Sequence, residues 1–229
     1  MSASPALDIR ARQSLGTSAE AIYAMVESAI IERHRGGGVL ADIGCGTGLL
    51  WRRVRARFDH CIGVDAVRYD GLDPSIQFVR HDLDRPGIPI ADGGADIVVA
   101  VETIEHLENP WAFVRELARL VTSGGWLLIT TPNQLSALSK LTLVLKQSFN
   151  AFQDASYPAH RTALLEIDLR RMMAEAGLGD VGVRYSEKGR LPLSAGHYPE
   201  SVSRLFPRAC SDNVAITARK PDAARGPDR

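Results

Sequence analysis

Glu102, Glu105 and His106 stand within five residues of one another, directly after the uninterrupted apolar run Ala95 to Val101 (ADIVVAV). Carboxylates and an imidazole at that spacing can move a proton to or from a reacting oxygen. Stripping water from so many charges is costly, so something polar must share the site: water, a substrate, a basic side chain or a metal. Earlier in the chain lies a second chemical cluster, Asp42-Ile43-Gly44-Cys45-Gly46-Thr47-Gly48. Alternating glycines let the backbone turn tightly and let a ligand approach without Cβ interference. A helix starting there aims unpaired N–H groups into the turn. The spacing is not the G-x-G-x-x-G of a dinucleotide site, because Leu49 takes the sixth position.

Both clusters need strands to carry them. Val39 to Ile43 reads as a short buried strand feeding the glycine loop, and Leu49 to Phe58 as the helix leaving it. Cys61 to Val64 and Ile76 to Val79 read as further strands. The apolar run Ala95 to Val101 suits a strand covered on both faces. Asn109 before Pro110 is a cap with a first-turn proline for a helix Trp111 to Val121, and Gly124-Gly125 turns into a strand Trp126 to Thr130. This alternation predicts an α/β fold, a doubly wound and mostly parallel sheet. Ahead of it, Thr17 or Ser18 caps a helix with Ile22, Met25, Val26, Ala29 and Ile30 on one face, stopped by Gly36-Gly37-Gly38. After Pro132 the rhythm changes. Leu135, Leu138, Leu141, Leu145, Phe149 and Phe152 recur at three- and four-residue steps, then a helix Leu164 to Ala176 and closing strands Val181 to Tyr185 and Val214 to Thr217 follow.

The loop Asp42-Ile43-Gly44-Cys45-Gly46-Thr47-Gly48 resembles motif I of the class I S-adenosylmethionine-dependent methyltransferases. The resemblance covers residues 38–132 well and the rest in outline, and it implies a seven-stranded Rossmann-like sheet. It implies that Asp42, Gly44, Cys45 and Gly46 contact the methionine part of the cofactor. Asp65 and Ala66, after the second strand, are implied at the ribose, where a carboxylate offers two acceptors to a vicinal diol. Asp82 and Leu83 are implied beside the adenine, with Val101 and Glu102 at the end of the fourth strand. The Glu-x-x-Glu-His pattern further resembles ubiquinone-biosynthesis O-methyltransferases and small-RNA terminal 2′-O-methyltransferases. There the pattern, with a later histidine, binds a divalent cation. Here that implies Glu102, Glu105, His106 and His160 as ligands of Mg²⁺ or Mn²⁺. Without a metal, His106, His160 or Glu102 would serve as general base. A plainer alternative has the Glu-His pair capping the next helix under the cofactor.

These readings give one domain over residues 1–220: an N-terminal helix (17–35), a cofactor core (38–132), a cap insertion (133–162) and a closing part (163–220). Residues 221–229 form a disordered tail. The expected acceptor is a small molecule, with the leucine stripe as a lid over an apolar pocket or a homodimer contact. Arg190, His197 and Tyr198 form a second contributing loop. Among the 229 residues, Lys and Arg (27) balance Asp and Glu (27), which argues against a dedicated nucleic-acid binder. That balance weighs against an RNA-terminus methyltransferase. A non-catalytic cofactor-binding subunit and a nicotinamide oxidoreductase are the other classes. Three scattered cysteines and no apolar stretch approaching about 20 residues predict a reduced, cytoplasmic protein without a membrane span.

Overall fold

Gly36, Gly37 and Gly38 all take positive φ, end helix α1 (Glu20–Arg33) and deliver the chain into β1 (Val39–Ile43). In this computed structural model, which describes residues 16–223, the glycine loop then leads into α2 (Leu49–Val54). A single 3₁₀ turn, Arg55–Arg57, extends that helix toward the expected end at Phe58. The next elements are β2 (His60–Asp65), β3 (Gln77–Arg80), β4 (Ala95–Ala100), α3 (Pro110–Leu120) and β5 (Val121–Pro132). Asn109 caps α3 as its sequence predicts, its side-chain oxygen accepting from the Ala112 N–H at 3.0 Å. Beyond β5 come α4 (Ala137–Lys146), α5 (Glu166–Glu175), β6 (Gly179–Tyr185), α6 (Glu200–Leu205) and β7 (Asn213–Arg219).

The strands form one seven-stranded sheet in the order β3-β2-β1-β4-β5-β7-β6. Pairings from β3 across to β5 are parallel, whereas β7 runs antiparallel to both β5 and β6. Alternation along the central strands divides the core in two. Ala41, Ile43, Leu127 and Ile129 pack with α3 and α5 on one face. Leu40 and Leu128 pack with α1 and α2 on the other. Burial on both faces explains why ADIVVA reads as a continuous apolar run. No helix among the described residues is long and apolar enough to cross a membrane.

Three expectations need correction or qualification. Neither Thr17 nor Ser18 caps α1, whose N-cap is Ala19 with no side-chain bond. The preceding segment instead runs over the glycine loop: the Gly16 carbonyl accepts from the Thr47 N–H at 3.0 Å, and the Ser18 N–H donates to the Tyr23 hydroxyl at 3.1 Å. The leucine stripe does not face inward either. α4 buries Ser139 and Thr142, while Val144 and Leu145 are 78% and 66% exposed. Hydrogen bonds decide the orientation: Ser136 caps the helix by accepting from the Ser139 N–H, and the Ser139 hydroxyl joins Gln134 and the Asn150 N–H. The lead-in before Gly16 and the tail after Ala223 lie outside the described residues.

Candidate active site

The carboxyl ends of β1, β2 and β4 meet around a cavity of about 380 Å³ that Asp42, Asp65, Asp82, Glu105, His106 and His160 help to line. An open α/β sheet places ligands there, beyond its strand ends. Gly44, Gly46 and Gly48 have φ of +81°, +52° and +75°, which a side chain would strain. Their neighbours are protein as well as cavity. A Cβ on Gly44 would fall 2.2 Å from the Thr103 hydroxyl, and one on Gly46 would fall 2.1 Å from the Gly16 carbonyl oxygen.

Two buried carboxylates face this cavity. Asp65 accepts from the Gly46 N–H at 3.0 Å and the Val67 N–H at 3.3 Å, which ties β2 to the glycine loop. Burial raises its pKa, and the backbone bonds oppose that rise. Asp42 is only 2% exposed, and burial followed by the charge of Asp65 pushes it up to about 7. Two neighbouring buried acids make a seat for a positively charged, hydroxyl-bearing ligand. Cys45, Ala66, Leu83 and Val101 line the same cavity. Asp82 accepts from Arg85 Nε at 3.2 Å and the Asp84 N–H at 3.2 Å. Sequence reasoning missed Gly16, Thr17, Ser18, Tyr23, Tyr69 and Thr103, which also line it; no local pattern marks them.

Glu102 and Glu105 part company after β4. Glu102 adopts a left-handed φ of +47°, an uncommon conformation for a side-chain-bearing residue. Its carboxylate accepts from the Thr130 hydroxyl and from Asn213 Nδ2, each at 2.8 Å. Burial, then the charge of Glu105, raises its pKa. Glu105 is fully buried; neither carboxylate oxygen has a well-formed hydrogen bond among the described residues, and the Thr131 hydroxyl beside it only partly opposes the effect of burial. Burial raises its pKa as well.

The structure brings Glu105, His106 and His160 together, one potential ligand atom of each within 4.8 Å of the others. Glu102 stands outside this group. His106 Nδ1 lies 2.8 Å from the Ala159 carbonyl and His160 Nδ1 lies 2.6 Å from the Ala151 carbonyl. A carbonyl only accepts, so both rings are the Nδ1–H tautomer in their neutral form and carry the lone pair on Nε2. Burial, and then the neighbouring His106, lowers the pKa of His160. The Glu105 carbonyl accepts from the Arg161 and Thr162 N–H groups at 2.9 and 3.1 Å, fastening the His160 loop to the end of β4.

A second cavity of about 410 Å³ shares Ile22, Glu102 and His160 with the first. Gln134, Ser136, Ser139 and Asn150 line it rather than the stripe's leucines or phenylalanines, of which Phe152 packs against the His160 ring with centroids 5.3 Å apart. Arg190 and His197 reach it as expected, but Tyr198 faces a separate cavity with Met25 and Tyr185. Lys188, unmarked by any motif, lines the second cavity too.

A family model described as a methyltransferase domain matches residues 23–182. The chain belongs to the class I S-adenosylmethionine-dependent methyltransferases. S-adenosylmethionine is accordingly the cofactor to weigh against its first cavity. The methyltransferase is 27% identical over 166 residues to a ubiquinone biosynthesis O-methyltransferase of Maricaulis maris, covering 68% of this chain and 65% of that one. A relative of the same description from Chromobacterium violaceum is 27% identical over 165 residues, covering 65% of this chain and 68% of that one. The methyltransferase thus spans about two thirds of the length of these relatives. Its fold matches a solved S-adenosylmethionine-dependent methyltransferase from Archaeoglobus fulgidus with a TM-score of 0.64 at 18% identity, covering 91% of this chain and 97% of that one.

Proposed function

We propose that this chain transfers a methyl group from S-adenosylmethionine to an oxygen of a small-molecule acceptor, assisted by a divalent cation at Glu105, His106 and His160. The observation that carries the reading is the fully buried Glu105 carboxylate, within 4.8 Å of two histidines oriented by backbone carbonyls. Oxygen and imidazole donors of this kind suit Mn²⁺ well and Mg²⁺ acceptably, and carbonyl-held Nδ1–H groups are the usual way of fixing ligating rings. Glu102 is left out of the set, because Thr130 and Asn213 engage both its oxygens.

Asp42 and Asp65 fit the cofactor, whose ammonium and sulfonium supply the positive charge that the paired carboxylates lack and whose ribose supplies hydroxyl donors. Asp82 and Leu83 stand where its adenine would lie, with Cys45, Ala66 and Val101 completing the wall. The chain aligns an acceptor oxygen with the methyl carbon and sulfur and excludes water from between them, the main contribution an enzyme makes to in-line transfer. In the step itself the acceptor hydroxyl gives up its proton, its oxygen bonds to the methyl carbon and the carbon–sulfur bond breaks, leaving S-adenosylhomocysteine. A bound cation would lower the pKa of that hydroxyl. With the cation in place that proton goes to water; without it, His160, kept neutral by burial and carrying its lone pair on Nε2, would accept it.

The test is calorimetric titration of S-adenosylhomocysteine into chelator-treated protein, repeated with Mn²⁺ or Mg²⁺ present. Micromolar binding is the expected result, with a separate metal heat that disappears in a Glu105→Ala, His106→Ala variant. No cofactor-product binding overturns the reading; binding without a metal heat removes the cation and leaves His160 as the base.

A further inference from the structure

The second cavity has two chemically different ends. Its border with the cofactor cavity carries His160 and Glu102. Its other cationic wall comes from a single segment between β6 and α6, which contributes Lys188, Arg190 and His197. That segment folds back on itself, with Arg190 and His197 opposite one another in a β-bridge and the Leu191 N–H donating to the Gly196 carbonyl at 3.0 Å. The three side chains therefore belong to one side of the cavity.

Their charges are not equally available. Arg190 Nε lies 2.6 Å from Asp212 Oδ2, so that pair is neutral as a unit. Lys188 has no ion-pair or hydrogen-bond partner for its ammonium among the described residues. The Lys188 carbonyl accepts from the Asp212 N–H at 3.0 Å, which fixes the backbone that carries the amine. Between the two ends the lining mixes amide and hydroxyl side chains, among them Gln134, Ser139 and Asn150, with the apolar Ala21, Ile22 and Pro132. Such a wall suits a ligand with a partly apolar body and a few polar groups at its ends.

We infer that this cavity takes a small hydroxylated acceptor carrying one anionic group, with a hydroxyl toward His160 and the anion toward Lys188. The inference rests on the methyltransferase reading above and narrows its acceptor to a class. A carboxylate is the simplest such anion, and Lys188, exposed at the rim between this cavity and the one that Tyr198 lines, offers it an ammonium.

Two matched pairs of probes test this: 3,4-dihydroxybenzoate against its methyl ester, and glucuronate against glucose. Each is titrated into protein saturated with S-adenosylhomocysteine and Mn²⁺, in wild type and in Lys188→Met. Within at least one pair the acid is expected to bind at least about tenfold more tightly, and Lys188→Met is expected to erase that preference while S-adenosylhomocysteine affinity stays unchanged. Equal affinity within both pairs, no binding by any of the four probes, or an acid preference that survives Lys188→Met would overturn the inference. Failure to saturate with S-adenosylhomocysteine would overturn the methyltransferase reading instead, so the two failures are distinguishable.

Discussion

Glu105 is the residue whose surroundings ask most for a partner outside the chain. A carboxylate buried beside little more than the Thr131 hydroxyl is stabilised by protonation or by a cation. Glu105→Gln removes the charge and keeps the shape. The variant should lose the rise in melting temperature that Mn²⁺ gives the wild type, while S-adenosylhomocysteine affinity changes by less than about threefold. Without metal at pH 8 it should melt no lower than the wild type, because a buried charge is gone. Retained stabilisation by Mn²⁺, read by thermal melts, would remove Glu105 from the ligand set. The residue scale also shows what spacing conveys and what it does not. Glu102, Glu105 and His106 are equally conspicuous in the sequence. Only the left-handed backbone at Glu102, and donors arriving from Thr130 and Asn213 far along the chain, turn that carboxylate away.

Among the elements, the glycine loop and α4 give contrasting lessons. At Gly46 a methyl group would meet the Gly16 carbonyl backbone, which has no side-chain freedom with which to retreat. Gly46→Ala should therefore displace the segment over the loop and weaken S-adenosylhomocysteine binding by about tenfold or more, as read by calorimetry. On α4, Val144→Ser and Leu145→Ser should each change stability by less than about 0.5 kcal/mol, since these side chains face outward. Ser139→Leu should cost about 1–3 kcal/mol by overpacking and by breaking the Gln134 and Asn150 bonds. Urea denaturation of the three variants checks the set, and the opposite ranking would mean that the leucines carry the packing. Strands β1, β2, β4 and β5 were legible because local apolar runs coincide with burial in the sheet, while the edge strand β3 is only half-buried. The orientation of α4 was not, because polar residues far from one another in pattern terms satisfy each other's hydrogen bonds there and outvote the stripe. The Gly16–Ser18 segment was likewise invisible, since what holds it is backbone meeting backbone across the fold.

Taken as a whole molecule, the fold pays for its cofactor seat with a pH-dependent weakness. Asp42 has its pKa pushed from 3.8 up to about 7 in the folded chain. The folded state therefore binds the proton more tightly than the unfolded state, and stability falls as pH rises through that window. Without ligand, thermal stability is expected to decline between about pH 4 and pH 7, and Asp42→Asn should flatten the decline. S-adenosylmethionine, bringing positive charge to the carboxylates, should raise the melting temperature more at pH 8 than at pH 5.5. A ligand effect of equal size at both values would separate Asp42 from the cofactor. A different consequence follows from how the excursion after β5 is fastened. At its start the Asn133 N–H donates to the Asp212 carbonyl at 2.7 Å, and at its end Arg161 and Thr162 clasp the Glu105 carbonyl. The segment between these rivets, His160 included, is tied down again by the Ala137 N–H on the Ala209 carbonyl and by the Ala159 carbonyl against His106 Nδ1, each at 2.8 Å, and so forms a cassette fastened at a few named points. None of these ties reaches the glycine loop, so substitutions between Gln134 and Asn150 should alter the acceptor wall and leave the cofactor seat as it is.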